Sequence, residues 1–395
     1  MKILLVVGAR PNFMKVAPIM RALAAKQCHG SPEICLVHTG QHYDARMSDS
    51  FFADLQLPEP RYHLAAGSGS HAQQTGRVLT AFEPVCERES PACVVVAGDV
   101  NSTLACALTA KKLGIDVAHV EAGLRSRDHS MPEEINRVCT DAISDILFTT
   151  DTLANENLRS EGVPEHKIRF VGNTMIDSLL ANLKRALACP LPEGVEAGQF
   201  VVVTLHRPGN VDDPGALGGL IDTVVEISRR APVVFPVHPR TRGNLERFGL
   251  AGRLDAGDIH VLEPQGYFSF IGMVARCRMV MTDSGGIQEE TTVLNIPCLT
   301  LRENTERPIT CISGTNMLVG TAPANIRTAA HAVLDGRAPR GSVPAKWDGK
   351  AGQRIADELL ARYSVPPSDR AVCHVQDRGA VLQPDAVLST PGGVL

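Results

Sequence analysis

The stretch VVVAGDVNSTLACALTAKKLGIDVAHV, residues 94–120, decides the fold of this chain. Two short apolar runs, residues 94–97 and 117–120, enclose a segment that is long enough for a helix. A continuous run of β-branched residues is typical of a parallel strand whose two faces are both covered by helices. The stretch therefore predicts a strand–helix–strand unit of an α/β domain.

The same alternation continues along almost the whole chain. We predict further strands in the first half over residues 2–7, 34–37, 146–149 and 168–171. In the second half we predict strands over residues 200–204, 233–237, 259–262, 278–282, 297–301 and 317–319. Helical patterns with apolar residues at a spacing of three or four lie between these runs.

A Pro/Gly-rich stretch without periodicity, residues 189–194, separates the two halves. The sequence thus predicts an α/β protein with two doubly wound, Rossmann-like domains, residues 1–188 and 189–347. Ligands of such sheets bind beyond the carboxyl ends of the strands, so we expect a site in a cleft between the domains. Residues 365–395 are rich in Pro, Gly and Asp, and we predict an irregular tail there.

Composition and charge exclude several classes of protein. The chain has 395 residues, and its 39 Lys and Arg against 43 Asp and Glu give a formal net charge of -4, which disfavours nucleic-acid binding. No apolar run approaches the ~20 residues of a membrane-spanning helix, and the N-terminus has no signal-peptide pattern. The 11 Cys form no C-x-x-C pair, which favours reduced thiols in a cytoplasmic protein without membrane contact.

Polar residues follow the predicted strands of the first half. Arg10 follows the first strand and Lys15 lies in the next helix, which suits an anion such as phosphate, although a solvated loop remains an alternative. Three carboxylates follow later strands: Asp99, Glu121 and Glu133. Crowded carboxylates shift each other's pKa values, as general acid–base catalysis requires. Helix capping explains Asp99 equally well, and pairing with a helix dipole explains one of the two acids at 133–134.

The second half carries a histidine and a glycine turn at its strand ends. His206 ends the first strand of this half, where a hydrogen-bonded packing role is the alternative to a functional one. A later strand delivers Ser284, Gly285 and Gly286 to a helix start, where backbone N–H groups can hold a phosphate. Glu290 follows about one helical turn later, within reach of ribose hydroxyls. A plain capped turn is the alternative for this motif.

Other catalytic motifs are absent from the sequence. It contains neither a G-x-x-x-x-G-K-[ST] phosphate loop nor a G-x-S-x-G nucleophile elbow. Residues 67–72 fit G-x-G-x-x-A, but they do not follow the first strand, so we expect no nicotinamide site. There is no H-E-x-x-H and no zinc-like Cys/His spacing, so we expect neither a metal nor another cofactor.

Taken in order, the motifs resemble the non-hydrolysing UDP-N-acetylglucosamine 2-epimerase family. The resemblance rests on GARP (8–11) with Lys15, VAGD (96–99), HVEAGLR (119–125), PEEINR (132–137), TLHR (204–207), DSGGIQEE (283–290) and TERP (305–308). It covers about residues 1–365. It implies a glycosyltransferase-B-like fold of two Rossmann-like domains, in which a helix, here within residues 348–364, crosses back to the first domain.

The resemblance also implies a reaction and a set of residues. The reaction is reversible inversion at C2, from UDP-N-acetylglucosamine to UDP-N-acetylmannosamine, through elimination of UDP, a 2-acetamidoglucal intermediate and re-addition. The implied catalytic residues are Asp99, Glu121, Glu133 and His206. The implied substrate-binding residues are Arg10 and Lys15 for phosphate or sugar, Gln265 and Phe270 near uracil, Ser284, Gly285 and Gly286 for the diphosphate, Glu290 for ribose, and Arg307 for a further anionic contact.

The family also implies a homodimer that serves surface-polysaccharide synthesis. Some relatives have an allosteric site for a second substrate molecule, and Gln41 and His42 match residues of that site. The chain lacks an arginine that some relatives have in that loop, which leaves activation by substrate open. Four other functions compete with the epimerase. They are a hydrolysing epimerase that releases UDP and N-acetylmannosamine, a 2-epimerase of a UDP-2,3-diacetamido uronic acid, a glycosyltransferase, and an inactive nucleotide-sugar-binding module.

Overall fold

Two parallel sheets organise the computed structural model of the chain, which describes residues 1–26, 31–40, 55, 57–338 and 340–364. The first sheet consists of β1 Lys2–Val7, β2 Glu33–His38, β3 Tyr62–His63, β4 Cys93–Ala97, β5 Asp116–Ala122, β6 Ile146–Thr149 and β7 Ile168–Phe170. The second consists of β8 Val201–Thr204, β9 Val233–Pro236, β10 Ile259–Leu262, β11 Met279–Thr282, β12 Cys298–Thr300 and β13 Asn316–Leu318.

The order of the strands reverses at one point in each sheet, and both points face the same cleft. The strand orders are β3-β2-β1-β4-β5-β6-β7 and β10-β9-β8-β11-β12-β13. The order reverses beside β1 and β4 in the first sheet and beside β8 and β11 in the second, which are the places where α/β sheets bind ligands. The predicted strands are confirmed, with shifts of one or two residues at their ends. The two-residue edge strand β3 was missed, because it is too short to show a pattern.

Helices cover both faces of the sheets. Those of the first half are α1 Arg10–Ala25, α2 His71–Glu89, α3 Asn101–Lys112, α4 Pro132–Ile143, α5 Thr152–Ser160 and α6 Thr174–Ala188. They are followed by α7 Pro208–Val211, α8 Pro214–Ser228, α9 Pro239–Arg247, α10 Tyr267–Val274, α11 Gly285–Leu294, α12 Ile309–Ile312, α13 Pro323–Leu334 and α14 Ala351–Tyr363. Several helices begin with proline, whose fixed φ and missing N–H suit a first helical position. Short 3₁₀ helices span Glu165–Lys167 and Ala251–Ala256.

The alternation of side chains along β1 explains why its sequence is apolar throughout. Leu4 and Val6 point to one face of the sheet, where they join a buried cluster with Phe82 of α2. Leu5 points to the other face and joins a cluster that includes Leu359 of α14. A strand buried on both faces favours apolar residues along its length, so we expect catalytic groups at the strand ends.

The last described helix, α14, returns to the first half of the chain. Gly352 allows this return, because a Cβ there would lie 2.7 Å from the backbone carbonyl of Pro18 in α1. The N–H groups of Ala351 and Gly352 donate to the carboxylate of Asp177 in α6, at 3.1 and 2.7 Å. Close approach and hydrogen bonding at the start of α14 therefore connect the end of the chain to its beginning. Within the described residues, no helix is both long and apolar enough to cross a bilayer.

Candidate active site

A cavity of about 520 Å³ opens between the carboxyl ends of the two sheets, and both halves of the chain line it. The sequence-predicted residues that line it are Lys15, Asp99, Glu133, His206, Gln265, Phe270, Ser284, Gly285, Gly286, Glu290 and Arg307. Glu121 lies behind this lining. The side chain of Arg10, the allosteric candidates Gln41 and His42, and the tail 365–395 lie outside the described residues.

Two of the predicted acid/base carboxylates face the cavity. Asp99 follows β4 and accepts hydrogen bonds from Nε and Nη2 of Arg137 at 3.0 and 2.6 Å. Burial alone would raise the pKa of Asp99, but nearby positive charges, chiefly Arg137 and then Lys15, lower it below its ordinary value. Glu133 opens α4, and its carboxylate has no hydrogen-bond or ion-pair partner among the described residues. Its carboxylate is therefore available to a ligand.

The neighbouring Glu134 has a structural role instead. It is buried, and it accepts hydrogen bonds from the backbone N–H groups of Ser126 and Arg127 at 3.0 and 2.8 Å. Its carboxylate also contacts Nη1 of Arg137 at 2.5 Å. Arg137 thus joins Glu134 to Asp99 and fixes the loop after β4 relative to α4. The structure separates two adjacent acids that the sequence could not distinguish.

Glu121 is held in a strained conformation at the end of β5. Its φ is 74°, and the register with β6 shifts at this residue. A non-glycine residue with positive φ costs free energy, and such residues concentrate at functional sites. Lys15 contacts Oε2 of Glu121, and Arg307 donates to Oε1 at 2.8 Å. Both oxygens are therefore occupied by cations, one of which comes from the opposite half of the chain.

A buried histidine on the same strand supports both loops. Asp141 accepts from Nδ1 of His119 at 2.6 Å, and the carbonyl of Gly98 accepts from Nε2 at 2.8 Å. Both ring nitrogens are therefore engaged, and the orientation of the ring is fixed. His119 thereby connects the strand that carries Glu121 to the loop that carries Asp99. Asp141 also contacts Arg125 at 2.7 Å, which balances its buried charge.

A group of buried charges that we call the Arg307 cluster closes the base of the cleft: Lys15, Glu121, Glu289, Arg302, Glu306 and Arg307. The guanidinium of Arg307 contacts Glu289 through Nε at 3.0 Å and Glu306 through Nη1 at 2.5 Å. Arg302 contacts the other oxygen of Glu306 at 2.9 Å. Burial raises the pKa of Glu289 to about 7. Arg307 opposes this rise, and the negative charge of Glu121 adds to it.

His206 is oriented by a carboxylate that sequence reasoning did not single out. Asp283 is fully buried and accepts from Nδ1 of His206 at 2.8 Å. It also accepts from the backbone N–H groups of His206 and Arg207 at 3.0 and 2.9 Å. Burial alone would raise the pKa of Asp283, but these donors, and first of all His206, lower it. The histidine is thus fixed with Nδ1 as donor, which leaves Nε2 for a ligand.

The start of α11 forms a phosphate-sized turn beside the Arg307 cluster. Ser284, Gly285 and Gly286 line the cavity there, and the first N–H groups of a helix have no partner within the helix. One turn further, Oε1 of Glu290 accepts from the hydroxyl of Tyr267 at 3.1 Å. Gln265 and Phe270 line the same side of the cavity, from the loop before α10 and from α10 itself. This arrangement can hold a nucleotide along the second half of the chain.

Residues of the site that were not predicted from the sequence include Arg137, Asp283, Glu289 and Glu306. Each lies inside a motif that carried a predicted residue, and only its surroundings in the structure distinguish it from a surface charge. Among the described residues, no three His, Cys, Asp or Glu side chains are grouped as metal ligands would be.

Known families provide the decisive comparison for this fold and cleft. A model of the family UDP-N-acetylglucosamine 2-epimerase matches residues 26–360. The chain belongs to this family. The resemblance inferred from the motifs, and the isomerase class that it implied, are thereby confirmed.

Curated relatives of the 2-epimerase family match nearly the whole chain. The UDP-N-acetylglucosamine 2-epimerase of Methanocaldococcus jannaschii is 43% identical over 90% of this chain and 98% of its own length. A relative from Pseudomonas aeruginosa, UDP-2,3-diacetamido-2,3-dideoxy-D-glucuronate 2-epimerase, is 44% identical over 91% of this chain and 99% of its own length. The family thus includes similar proteins that are named for different UDP-sugars.

Solved 2-epimerase structures share the two-sheet architecture. The M. jannaschii UDP-GlcNAc 2-epimerase in complex with UDP-GlcNAc and UDP has a TM-score of 0.82 and 42% identity, covering 91% of this chain and all of that chain. The Neisseria meningitidis UDP-GlcNAc 2-epimerase bound to UDP-GlcNAc also has a TM-score of 0.82, with 29% identity and coverage of 91% and 100%. The predicted glycosyltransferase-B-like arrangement of two Rossmann-like sheets is confirmed.

Proposed function

We propose that this protein interconverts UDP-N-acetylglucosamine and UDP-N-acetylmannosamine by inverting C2 of the sugar. The observation that carries the choice of sugar is the pairing of the cations beside the acid/base carboxylates. Lys15 contacts Glu121, Arg137 contacts Asp99, and Arg307 contacts Glu121 and the other carboxylates of its cluster. Arg207, which also lines the cavity, lies 3.9 Å from Glu306. A sugar with a neutral C6 hydroxymethyl group needs no cation of its own, so the pairing of these cations among the described side chains favours N-acetylglucosamine over a uronic acid.

The first step of the proposed reaction removes the C2 proton and expels UDP. The C2 hydrogen has no adjacent carbonyl to acidify it, so breakage of the C1–O bond must accompany its removal. The proton passes to a carboxylate, the C2–H electrons form the C1=C2 double bond, and the C1–O electron pair leaves with the β-phosphate oxygen. We assign the base to Asp99, because its carboxylate follows β4 at the sheet edge and lines the cavity.

The second step reverses the first from the other face. A proton is delivered to the opposite face of C2 of the 2-acetamidoglucal, and the phosphate oxygen adds back to C1. This step needs a second carboxyl group that begins the cycle protonated, and we assign it to Glu133, which faces the cavity without a partner among the described residues. Asp99 keeps the proton that it removed until exchange with solvent restores both groups after product release. Glu121 remains the third acid/base candidate, held between Lys15 and Arg307 until one of them moves.

The second half of the chain holds the departing UDP in this proposal. The turn of Ser284, Gly285 and Gly286 holds the diphosphate, and the backbone N–H groups of the two glycines, with the positive end of α11, stabilise the charge that develops on it. His206, whose Nδ1 is engaged by Asp283, presents Nε2 to the ligand beside the diphosphate. Glu290 holds the ribose, and Gln265 and Phe270 surround the uracil. We also retain Arg10 as a phosphate or sugar ligand, on the basis of its motif alone.

Product analysis tests the proposal directly. Purified protein is incubated with UDP-N-acetylglucosamine, and the nucleotides and free sugars are separated by anion-exchange chromatography. We expect UDP-N-acetylmannosamine to accumulate to a constant ratio, with little free UDP. UDP released in equal amount to free N-acetylmannosamine contradicts the non-hydrolysing reaction. Turnover of only the UDP-2,3-diacetamido uronic acid contradicts the sugar assignment and favours the activity of the Pseudomonas relative.

The family resemblance supports three further parts of the proposal. We infer a homodimer that works in the cytoplasm and supplies surface-polysaccharide synthesis. The described cysteines form no disulfide, which supports the cytoplasmic location. Size-exclusion chromatography with light scattering tests the dimer. We also propose domains at residues 1–188 and 189–347 with a crossing segment at 348–364, because one sheet lies within each of the first two ranges.

A further inference from the structure

The Arg307 cluster lies directly beside the turn at the start of α11. A Cβ added to Gly285 would lie 2.4 Å from Oε1 of Glu306 and 2.6 Å from Nη1 of Arg307. The backbone that we propose to hold the diphosphate is therefore in contact with these buried charges. Any change in the net charge of the cluster acts on a bound diphosphate at short range and in a poorly screened environment.

Glu289 differs from the other two carboxylates of the cluster. Glu121 contacts both Lys15 and Arg307, and Glu306 contacts both Arg302 and Arg307. Glu289 contacts Arg307 alone, and its second oxygen, Oε2, is buried without a hydrogen-bond partner among the described residues. The residue also lines the cavity. A buried carboxylate with one cation for a partner is the member of the cluster most easily protonated.

The charge balance of the cluster changes when a substrate binds. With Glu121, Glu289 and Glu306 ionised, three negative charges balance those of Lys15, Arg302 and Arg307. A UDP-sugar brings a dianionic diphosphate to the adjacent turn. A proton on Glu289 would leave the cluster with one net positive charge, which attracts that diphosphate. We propose that Glu289 takes up a proton when the UDP-sugar binds, and so matches the charge of the cleft to its ligand; this inference rests on the proposed function.

The sign of the pH dependence follows from the groups around Glu289. Lys15 acts on it from α1, Glu121 from β5, and Arg307, which also contacts Glu306, from the loop after β12. Burial, together with Glu121, raises the pKa of its carboxyl to about 7 in the ligand-free protein, against the effect of Arg307 and Lys15. A bound diphosphate adds negative charge and raises this pKa further. The affinity for the UDP-sugar is therefore greatest at low pH and falls as pH rises above neutrality.

Isothermal titration calorimetry measures the proton directly. UDP-N-acetylglucosamine is titrated into the protein at about pH 7.5 in buffers of different ionisation enthalpy, and the slope of the observed enthalpy gives the protons taken up. This ligand is suitable because its diphosphate is esterified at both ends and does not titrate near neutrality. We expect uptake of about half a proton and about a ten-fold loss of affinity between about pH 6.5 and about pH 8.5. In E289Q we expect almost no uptake and an affinity that is constant over this range.

The exposed Glu246→Gln in α9 serves as the control, and it should behave as the wild type does. Uptake that persists in E289Q belongs to another group and overturns the inference. Binding by the wild type without uptake also overturns it, while the proposed function stands. Absence of binding contradicts the proposed function itself. If E289Q does not fold, the wild-type affinity decides the question, because a constant affinity across this pH range is incompatible with the proposal.

Discussion

The contact between Asp283 and His206 makes one substitution, Asp283→Asn, especially informative. Oδ2 of Asp283 accepts from the backbone N–H groups of His206 and Arg207 and from the side chain of Asn210, at 3.0, 2.9 and 3.2 Å. In the variant, the amide oxygen must remain at this position to satisfy these three donors. The amide NH₂ then faces Nδ1 of His206, which has to become an acceptor. The imidazole proton moves to Nε2, so the nitrogen offered to the ligand is reversed from acceptor to donor.

Two effects of different size follow from this reversal. The loss of charge-assisted hydrogen bonds at the fully buried Asp283 lowers the free energy of unfolding by about 1.5–3 kcal/mol. Loss of the correct tautomer of His206 lowers kcat by about 10²–10⁴-fold, the usual size of an acid–base contribution. Binding of UDP depends on α11 and should change little. The variant should therefore fold and bind UDP, yet turn over slowly.

A double-mutant cycle gives the assay its control. The kcat for epimerisation of UDP-N-acetylglucosamine is compared in wild type, D283N, H206N and the double variant, with thermal unfolding measured for each. Because Asp283 acts through His206, we expect the double variant to be no slower than H206N alone. Fully multiplicative losses, or a D283N variant with kcat within about three-fold of wild type, would refute this reasoning.

Three further predictions concern the acids of α4, the return of α14 and the acid limit of stability. Glu133→Gln should lower kcat by about 10²–10⁴-fold without changing the free energy of unfolding. The adjacent Glu134→Gln should lower the free energy of unfolding by about 3–5 kcal/mol, because it breaks a buried ion pair. Steady-state kinetics and urea unfolding distinguish the two variants. Gly352→Ala should cost about 1–3 kcal/mol, since the new Cβ meets the backbone of α1, and an unchanged urea midpoint would contradict the close approach of α14. Burial alone would raise the pKa of Asp141, but its neighbours His119 and Arg125 lower that pKa. The ionised carboxylate therefore stabilises the folded protein above about pH 4, and this stabilisation is lost as pH falls further. Asp141→Asn should therefore flatten the acid limb of the stability curve, and an unchanged slope would contradict this sign.

The fold could be predicted from the sequence because its strands are buried on both faces. All five residues of β4 are apolar and buried, so its sequence predicts a strand without ambiguity, whereas β5 also contains His119 and Glu121. The switch from strand to helix then locates the polar residues at strand ends. The edge strand β3 has two residues and one neighbour, and it leaves no such mark. The separation of the halves at residues 189–194 depended on composition alone.

The site was predictable where a residue type is unusual for its position, and less so where its meaning depends on partners. A glutamate at the end of a buried strand, such as Glu121, stands out in the sequence, although its positive φ does not. Glu133 and Glu134 are identical residues in one helical turn, and only three-dimensional contacts separate them. Glu289 and Asp283 look like helix-terminal acids until their burial and their partners are known.

The central claim is that the protein inverts C2 by exchanging its proton while UDP is retained in the cleft. Proton NMR of the purified protein with UDP-N-acetylglucosamine in deuterated water tests this most directly. We expect UDP-N-acetylmannosamine with deuterium at C2 to appear, with little free UDP. Epimerisation with the original hydrogen kept at C2, or an unchanged spectrum despite demonstrated binding of the substrate, would contradict it.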